Sequence, residues 1–271
     1  MGKIITVANE KGGVGKTILT VNLGAALSLH GQRVLVIDMD PQGNASYMLS
    51  KNISAENPSM YKVLVNRDEK ISSIIEKTTT ENLDLAPSNL HLAGAEILLI
   101  QEYGREFALK RSFTPEIIEQ YDYIFIDTAP SLSLLTVNAL VAADYVLIPA
   151  FSDFLSLVGL NLLFDIIKIS QENLGSKVEV LGLVITKYDS RENISKEAVN
   201  LLKMKFGSLL YETVIRINVR LKEAPAKRET IFQHDPTCVG ARNYLSLAEE
   251  FLNKIKRETQ ADGHEKIFPE G

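Results

Sequence analysis

The stretch that decides the fold lies at the start of the chain: Lys3-Ile4-Ile5-Thr6-Val7-Ala8-Asn9-Glu10-Lys11-Gly12-Gly13-Val14-Gly15-Lys16-Thr17. Lys3 to Ala8 is a short, β-branched apolar run, the pattern of a strand buried in a sheet. A glycine-rich turn follows, and from Lys16 to Leu29 the apolar residues take a helical period. Strand, glycine turn and helix N-terminus in that order build an anion site. Small residues let backbone N–H groups converge on phosphate oxygens, and the helix dipole adds positive potential. Residues Gly12, Gly13, Val14, Gly15 and Ile18 would line the phosphates, Lys16 would reach the β- and γ-phosphates, and the Thr17 hydroxyl would ligate Mg²⁺.

Outward from this loop, short apolar runs alternate with longer helical segments. Strands are expected at Lys3 to Ala8, Arg33 to Asp38, Leu83 to Pro87, Tyr123 to Asp127, Tyr145 to Pro149, Val178 to Thr186 and Glu212 to Ile217. Helices are expected at Lys16 to Leu29, Leu92 to Arg111, Leu134 to Ala143, Leu155 to Glu172 and Ser195 to Phe206. The alternation predicts a doubly wound α/β fold of the P-loop NTPase type, a mainly parallel sheet with helices on both faces. A last helix, about Ala241 to Arg257, carries Leu245, Ala248, Leu252 and Ile255 as a core-facing stripe with Phe251 beside it. Residues 1–257 are read as one domain and 258–271 as a polar tail.

Composition is that of a soluble globular chain: 271 residues, 45% hydrophobic and 23% charged, with mean hydropathy near zero. The net charge of -5 excludes a uniformly cationic nucleic-acid coat but not a local basic patch. A single cysteine, Cys238, forms no internal disulfide and cannot hold an iron–sulfur cluster within one chain, so a reducing cytoplasm is expected. The four histidines, His30, His91, His234 and His264, are too scattered for a zinc site. No N-terminal signal pattern fits, and no run approaches the ~20 apolar residues needed to cross a bilayer.

Three aspartates carry the remaining chemistry. Asp38 and Asp40 follow the second strand, two residues apart in an extended segment, so they can face one side; either could instead cap the turn before Pro41. Asp127 ends the strand Tyr123 to Asp127, downstream of the glycine loop, in the Walker B position where a carboxylate holds Mg²⁺ directly or through water. From Arg216 to Arg228, five cations (Arg216, Arg220, Lys222, Lys227 and Arg228) face one acid, Glu223. Taken alone, such a run is usually a solvated loop.

A plain Walker A loop has glycine five residues before Gly15, where this chain has Glu10. Lys-Gly-Gly-Val-Gly-Lys-Thr instead resembles the deviant Walker A of the ParA/MinD family of ATPases, and within it the ParA/Soj partition ATPases. The resemblance continues through Val34-Leu-Val-Ile-Asp-Met-Asp-Pro-Gln-Gly-Asn44, Tyr121-Asp-Tyr-Ile-Phe-Ile-Asp127 and Asn218-Val-Arg-Leu-Lys-Glu-Ala-Pro225. It implies that Lys11 crosses a dimer interface to the partner's nucleotide, that Asp40 positions the attacking water, and that Asp38 lies near the metal. Val184-Ile-Thr-Lys-Tyr-Asp189 is similar to the guanine motif of GTPases with threonine for asparagine. The family resemblance favours adenine, read by Thr186 and by backbone around Ile217 and Asn218, so the cofactors implied are ATP and Mg²⁺.

The resemblance further implies an ATP-bound homodimer, a surface including Arg191, Arg220 and Lys222 that binds nonspecific double-stranded DNA, and a ParB-like centromere-binding protein that stimulates hydrolysis. It places such a protein in the cytoplasm on the nucleoid, with no stable membrane association. Two departures stand out: Ala129 in Thr128-Ala129-Pro130-Ser131, where a first proline is usual, and Phe151, near where many relatives carry a polar residue. Phe151 is given no role. The main alternative is a MinD-like ATPase that cycles on membranes, which the proline in the terminal Lys266-Ile-Phe-Pro-Glu-Gly271 disfavours. A metabolic ligase or reductase on the same scaffold is the other; the reductase would need two cysteines per chain.

Overall fold

A strand covered on both faces must be apolar at every position, because successive side chains point to opposite sides. The computed structural model, which describes residues 1–52, 54, 56–152 and 155–260, arranges such strands in the middle of the molecule. They are β1 (Lys3–Val7), β2 (Val34–Met39), β3 (Glu76–Lys77), β4 (Leu83–Ala86), β5 (Tyr123–Thr128), β6 (Tyr145–Phe151) and β7 (Glu179–Thr186). Among the described residues they make one sheet in the order β3-β4-β2-β5-β1-β6-β7, parallel except for the two-residue β3. Val34 and Val36 of β2 pack on one face with Tyr123 and Phe125 of β5, while Leu35, Ile37, Ile124 and Ile126 pack on the other.

The helices are α1 (Lys16–Leu29), α2 (Asn44–Leu49), α3 (Met60–Val65), α4 (Leu92–Leu99), α5 (Ala108–Ser112), α6 (Pro115–Gln120), α7 (Leu134–Ala142), α8 (Leu155–Leu174), α9 (Asn193–Phe206), α10 (Val219–Lys227), α11 (Ile231–His234) and α12 (Val239–Gln260). Helices α1, α2, α10, α11 and α12 cover one face and α3 to α9 the other, so the doubly wound expectation holds. Phe251 of α12 sets its ring edge-on to Tyr123 at 5.2 Å, an aromatic contact worth about 1 kcal/mol beyond burial. The buried stripe of α12 is Tyr244, Leu247, Ala248, Phe251 and Ile255; Leu245 and Leu252 are only half-buried, a rotation from the expected face. The helix runs on to Gln260, and the remaining tail, including Lys266 to Gly271, lies outside the described residues.

Two sequence expectations need correction. Leu92 to Arg111 is not one helix: Gly104 takes a left-handed φ of 63° and divides α4 from α5. Glu212 to Ile217 is not a strand. Tyr211 and Ile215 donate to β7 at Leu183 and Ile185, but the amides of Glu212 and Thr213 between them donate to the Glu250 carboxylate at 2.7 and 2.9 Å. A side chain of α12 thus takes the donors that a ladder would have used.

β1 sits between β5 and β6, where the chain's winding direction reverses. In open α/β sheets the crevice outside the carboxyl ends of the strands at such a point binds ligands. The ends of β1, β2, β5 and β7 meet there.

Candidate functional site

After β1, Asn9 braces the turn. Its Nδ2 donates to the Pro149 carbonyl at 2.7 Å, and its Oδ1 accepts from the Lys11 amide at 2.9 Å. Gly13 and Gly15 have φ of 71° and 91°, a left-handed backbone that side chains resist, and an added Cβ at either would meet nothing within 4 Å. Gly15 is the N-cap of α1 and supplies no capping side chain, so the helix opens with unclaimed N–H groups around an open cradle. The first helical bond, Leu19 N–H to the Gly15 carbonyl, spans 2.8 Å. This geometry fits a phosphate.

Lys16 is buried and its Nζ donates across the loop to the carbonyls of Asn9 at 2.8 Å and Lys11 at 3.3 Å. Burial lowers its pKa, with the charges of Asp127 and Asp40 pulling the other way. The loop is therefore closed around an ammonium that a γ-phosphate could recruit.

Asp38 and Asp127 are directly paired in the β2–β5 register, and both are fully buried. Burial pushes Asp38 up to about 6, against the hydrogen bonds that stabilise its charge. Burial also drives Asp127 well above the usual carboxylate range, with the neighbouring Asp38 adding to it. Their hydrogen bonds differ in a way the sequence did not reveal. Asp38 Oδ1 accepts from the Asp40 amide at 3.1 Å, and Oδ2 accepts from the amide and the hydroxyl of Ser46, each at 2.7 Å. Asp38 thus holds the loop into α2.

Asp127 accepts at Oδ1 from the Thr20 hydroxyl at 3.2 Å and also interacts with the Thr17 hydroxyl, while its buried Oδ2 has no partner. A buried, unpartnered carboxylate oxygen beside a threonine hydroxyl fits Mg²⁺, which takes one or two protein oxygens and keeps waters and phosphates as its other ligands. Among the described residues no group of three or more His, Cys, Asp or Glu forms a dedicated metal cage. Asp40, 5% exposed, lines the cavity, with Oδ1 accepting from the Gln42 amide at 2.9 Å.

The loop opens into a cavity of about 640 Å³, walled by residues 13–18, Asp40, Thr186, Ile217 and Asn218, with Tyr47, Met48 and Tyr244 beyond. Its size suits a nucleotide. Thr186 reaches the wall, but its hydroxyl donates to the carbonyls of Val14 at 2.7 Å and Ala150 at 3.2 Å, so it ties the phosphate loop to the sheet. Asn218 caps α10 through a 2.8 Å bond from the Arg220 amide. Asp189, in the place of a guanine-reading carboxylate, is gripped by Arg191 at 2.9 and 2.6 Å, and that ion pair holds it well below the usual carboxylate range, at about 2.

Of the basic run, Arg216 and Lys222 line the cavity. Lys222 lines the mouth, and Tyr188 bridges Arg216, joining the Arg191 loop to the start of α10. Arg191 is 85% exposed; Arg220 is paired with Glu223 at 2.8 Å and Asp235 at 3.4 Å. Arg228 leaves the expected patch: its guanidinium donates to the carbonyls of Tyr47 and Ser50 at the end of α2 and lies over the Tyr47 ring. Sequence reasoning passed over Thr20, Asn9 and Ser46, and it counted Arg228 in the basic run without its contact to the end of α2. Only Thr20, one turn beyond Lys16 on the helix, left a readable signal.

The family model described as an AAA domain matches residues 2–180. The sporulation initiation inhibitor protein Soj of Bacillus subtilis is 45% identical over 251 residues, 92% of this chain and 98% of that protein. The chromosome partitioning protein ParA of Caulobacter vibrioides is 38% identical over 262 residues, 96% and 97% of the two chains. Among solved structures, cobyrinic acid a,c-diamide synthase from Mycobacterium smegmatis with bound ATP analogue and magnesium superposes with a TM-score of 0.79 at 30% identity, covering 99% of this chain and 100% of that one. With its strand–loop–helix phosphate cradle and these relatives on record, the chain belongs to the ParA/Soj family of P-loop partition ATPases.

Proposed function

We propose that this protein is a DNA partition ATPase that dimerises on ATP, binds DNA without sequence preference as the dimer, and releases it on hydrolysis. The observation that carries the reading is the junction of the uncapped α1 N-terminus, the inward-turned Lys16 and the unpartnered Asp127 Oδ2. Three unsatisfied or redirectable groups converge where a Mg²⁺-bound triphosphate would satisfy them all. Residues 1–257 act as one ATPase domain.

Bound Mg²⁺ would neutralise charge developing on the phosphates. Loop amides from residues 12–18 and Lys16 bind the phosphate chain, Thr17 and Asp127 hold the metal, and Asp40 orients water at the cavity floor. Asp38 serves by fixing the loop that carries Asp40. Lys11 reaches the nucleotide of a second copy. Backbone at Ile217 and Asn218, both lining the cavity, would face the base, which we read as adenine because a solved structural relative carries an ATP analogue. Arg191, Arg220 and Lys222 form the DNA surface, so binding is salt-dependent and indifferent to sequence. A ParB-like centromere-binding partner triggers hydrolysis, on the nucleoid in the cytoplasm; no described helix is long and apolar enough to cross a membrane.

The test is binding to nonspecific duplex DNA at fixed moderate salt with ATP, ADP or no nucleotide. Wild type should bind only with ATP, and Lys16→Ala and Arg220→Ala should both lose binding. DNA binding that ignores nucleotide would remove the DNA role. Sedimentation with liposomes in place of DNA would then decide for the membrane-cycling alternative.

A further inference from the structure

Helix α10 closes on a left-handed turn. The Arg228 amide donates to the Pro225 carbonyl at 3.0 Å and the Glu229 amide to the Ala224 carbonyl at 3.1 Å, the pair of bonds that ends a helix in a Schellman turn. Arg228 holds the position in that turn where glycine is usual, with φ of 59° and ψ of 46°. A side chain there carries a conformational cost, and this one leaves α10 altogether. Its Nε donates to the Tyr47 carbonyl at 3.1 Å, its Nη2 donates to the Ser50 carbonyl, and the guanidinium lies 5.6 Å from the centre of the Tyr47 ring. One planar group thus engages two carbonyls and an aromatic face on α2.

α2 has six residues, too few to hold a helix by its own backbone bonds, so side chains at its two ends fix its place. At the start, Ser46 is bound through its amide and hydroxyl to the buried Asp38 carboxylate, and its Oγ accepts from the Ser88 amide at 2.7 Å. At the end, Arg228 is exposed. The end tied to buried groups is the firm one, and the solvated tie is the one that opens most readily. Tyr47 and Met48 of α2 line the cavity, and so do Leu221, Lys222 and Pro225 of α10. The guanidinium therefore closes the seam between two stretches of one cavity wall. Tyr47 lines the cavity and is also 47% exposed, which puts the seam where the cavity meets solvent.

We infer that Arg228 is a positioning residue that clasps α2 to α10 at the cavity mouth, and that release of this clasp sets how fast nucleotide enters and leaves. The inference rests on the proposed reading of the cavity as a nucleotide site. Arg228 is not among the residues that line the cavity, so it acts on passage rather than on the bound molecule. A clasp on passage slows entry and exit alike and leaves the equilibrium affinity nearly unchanged. A group that bound the nucleotide would instead change exit and affinity together.

The experiment uses the full-length protein and Arg228→Gly, which removes the guanidinium while suiting the left-handed backbone, so the end of α10 is kept. The probe is N-methylanthraniloyl-ADP with Mg²⁺, followed by stopped-flow fluorescence; the diphosphate avoids the dimer proposed for the ATP state. Association and dissociation should each be about 5-fold faster in the variant with Kd within about 2-fold, the scale of one exposed charge-assisted contact. Without nucleotide, the α2 amides should exchange with solvent faster in the variant. Wild-type rates in Arg228→Gly, or faster release matched by an equal loss of affinity, overturns the inference. A wild type that binds no ADP overturns the nucleotide reading of the cavity instead. Amide exchange then decides on the clasp, and unchanged protection of α2 in the variant would overturn it.

Discussion

Replacing Asp127 with asparagine should stabilise the empty protein while disabling the metal site proposed there. Asp127 and Asp38 face each other across β2 and β5 with no exposed surface, so at neutral pH the native state must hold two carboxyl groups that resist ionising together. Asp38 sits at about 6 against an ordinary 3.8, close to two pH units, which corresponds to about 3 kcal/mol and sets the scale of the cost. A carboxyl whose folded value exceeds its unfolded value binds its proton more firmly in the native state. Its stabilising contribution is complete below the unfolded value and is lost as pH rises through the folded one. Asparagine keeps an oxygen for the Thr20 hydroxyl and carries no charge. The assay is thermal melting in EDTA without nucleotide from pH 4.5 to 8. The variant should melt within error of the wild type at the acid end and about 4–6 °C higher above pH 7, at about 2 °C per kcal/mol for a chain of this length. Adding ATP and Mg²⁺ should raise the wild type and not the variant. A variant that melts lower than the wild type at pH 7.5 in EDTA, or a gap that does not change with pH, would refute the buried-charge reasoning.

Thr186→Val should cost about 1–2 kcal/mol, because the carbonyls of Val14 and Ala150 lose a shared donor, and it should weaken ATP binding; melting and nucleotide titration check both. Gly182→Ala should be among the most damaging single-methyl changes, about 2–3 kcal/mol by denaturant midpoint. Its Cβ would lie 2.4 Å from the Leu209 carbonyl oxygen, on a backbone with φ of 155°. Arg228→Ala should cost about 1 kcal/mol and speed hydrogen exchange of the α2 amides, since the last carbonyls of that helix lose their guanidinium; unchanged exchange there would mean that the contact holds nothing.

What could be read in the sequence was what is encoded locally. The helix expected at Lys16 to Leu29 is found with those bounds, because the glycine turn that starts it and the apolar period that sustains it are neighbours in the chain. The parallel strands were legible for the same reason: burial on both faces leaves an unbroken apolar run. One failure is local, the break at Gly104 inside the helix expected over Leu92 to Arg111, and the others are nonlocal. Nothing near Glu212 announces that Glu250, 38 residues on, will claim its amide, and nothing near Arg228 announces Tyr47, 181 residues away. In the candidate site, Gly13, Gly15, Lys16 and Asp40 line one cavity, and Asp127 stands on β5 opposite Asp38. The division of labour between Asp38 and Asp127 depends on which oxygens find partners, and that is set only when Ser46 folds back onto β2.

The diverted segment at 210–217 has a further effect at the margin of the sheet. β7 is the last strand on its side, and an uncovered final strand is a template onto which another chain can add. Here residues 210–217 lie along β7 with bonds at Leu183 and Ile185, while Glu250 withdraws the intervening amides, so the cover itself presents no regular row of donors. The opposite margin ends in Glu76 and Lys77, an antiparallel strand of two residues, too short and too charged to extend. Among the described residues, neither margin presents an incoming chain with a long, regular strand to copy. The association of copies proposed above is thereby left to side-chain surfaces rather than to cross-β growth.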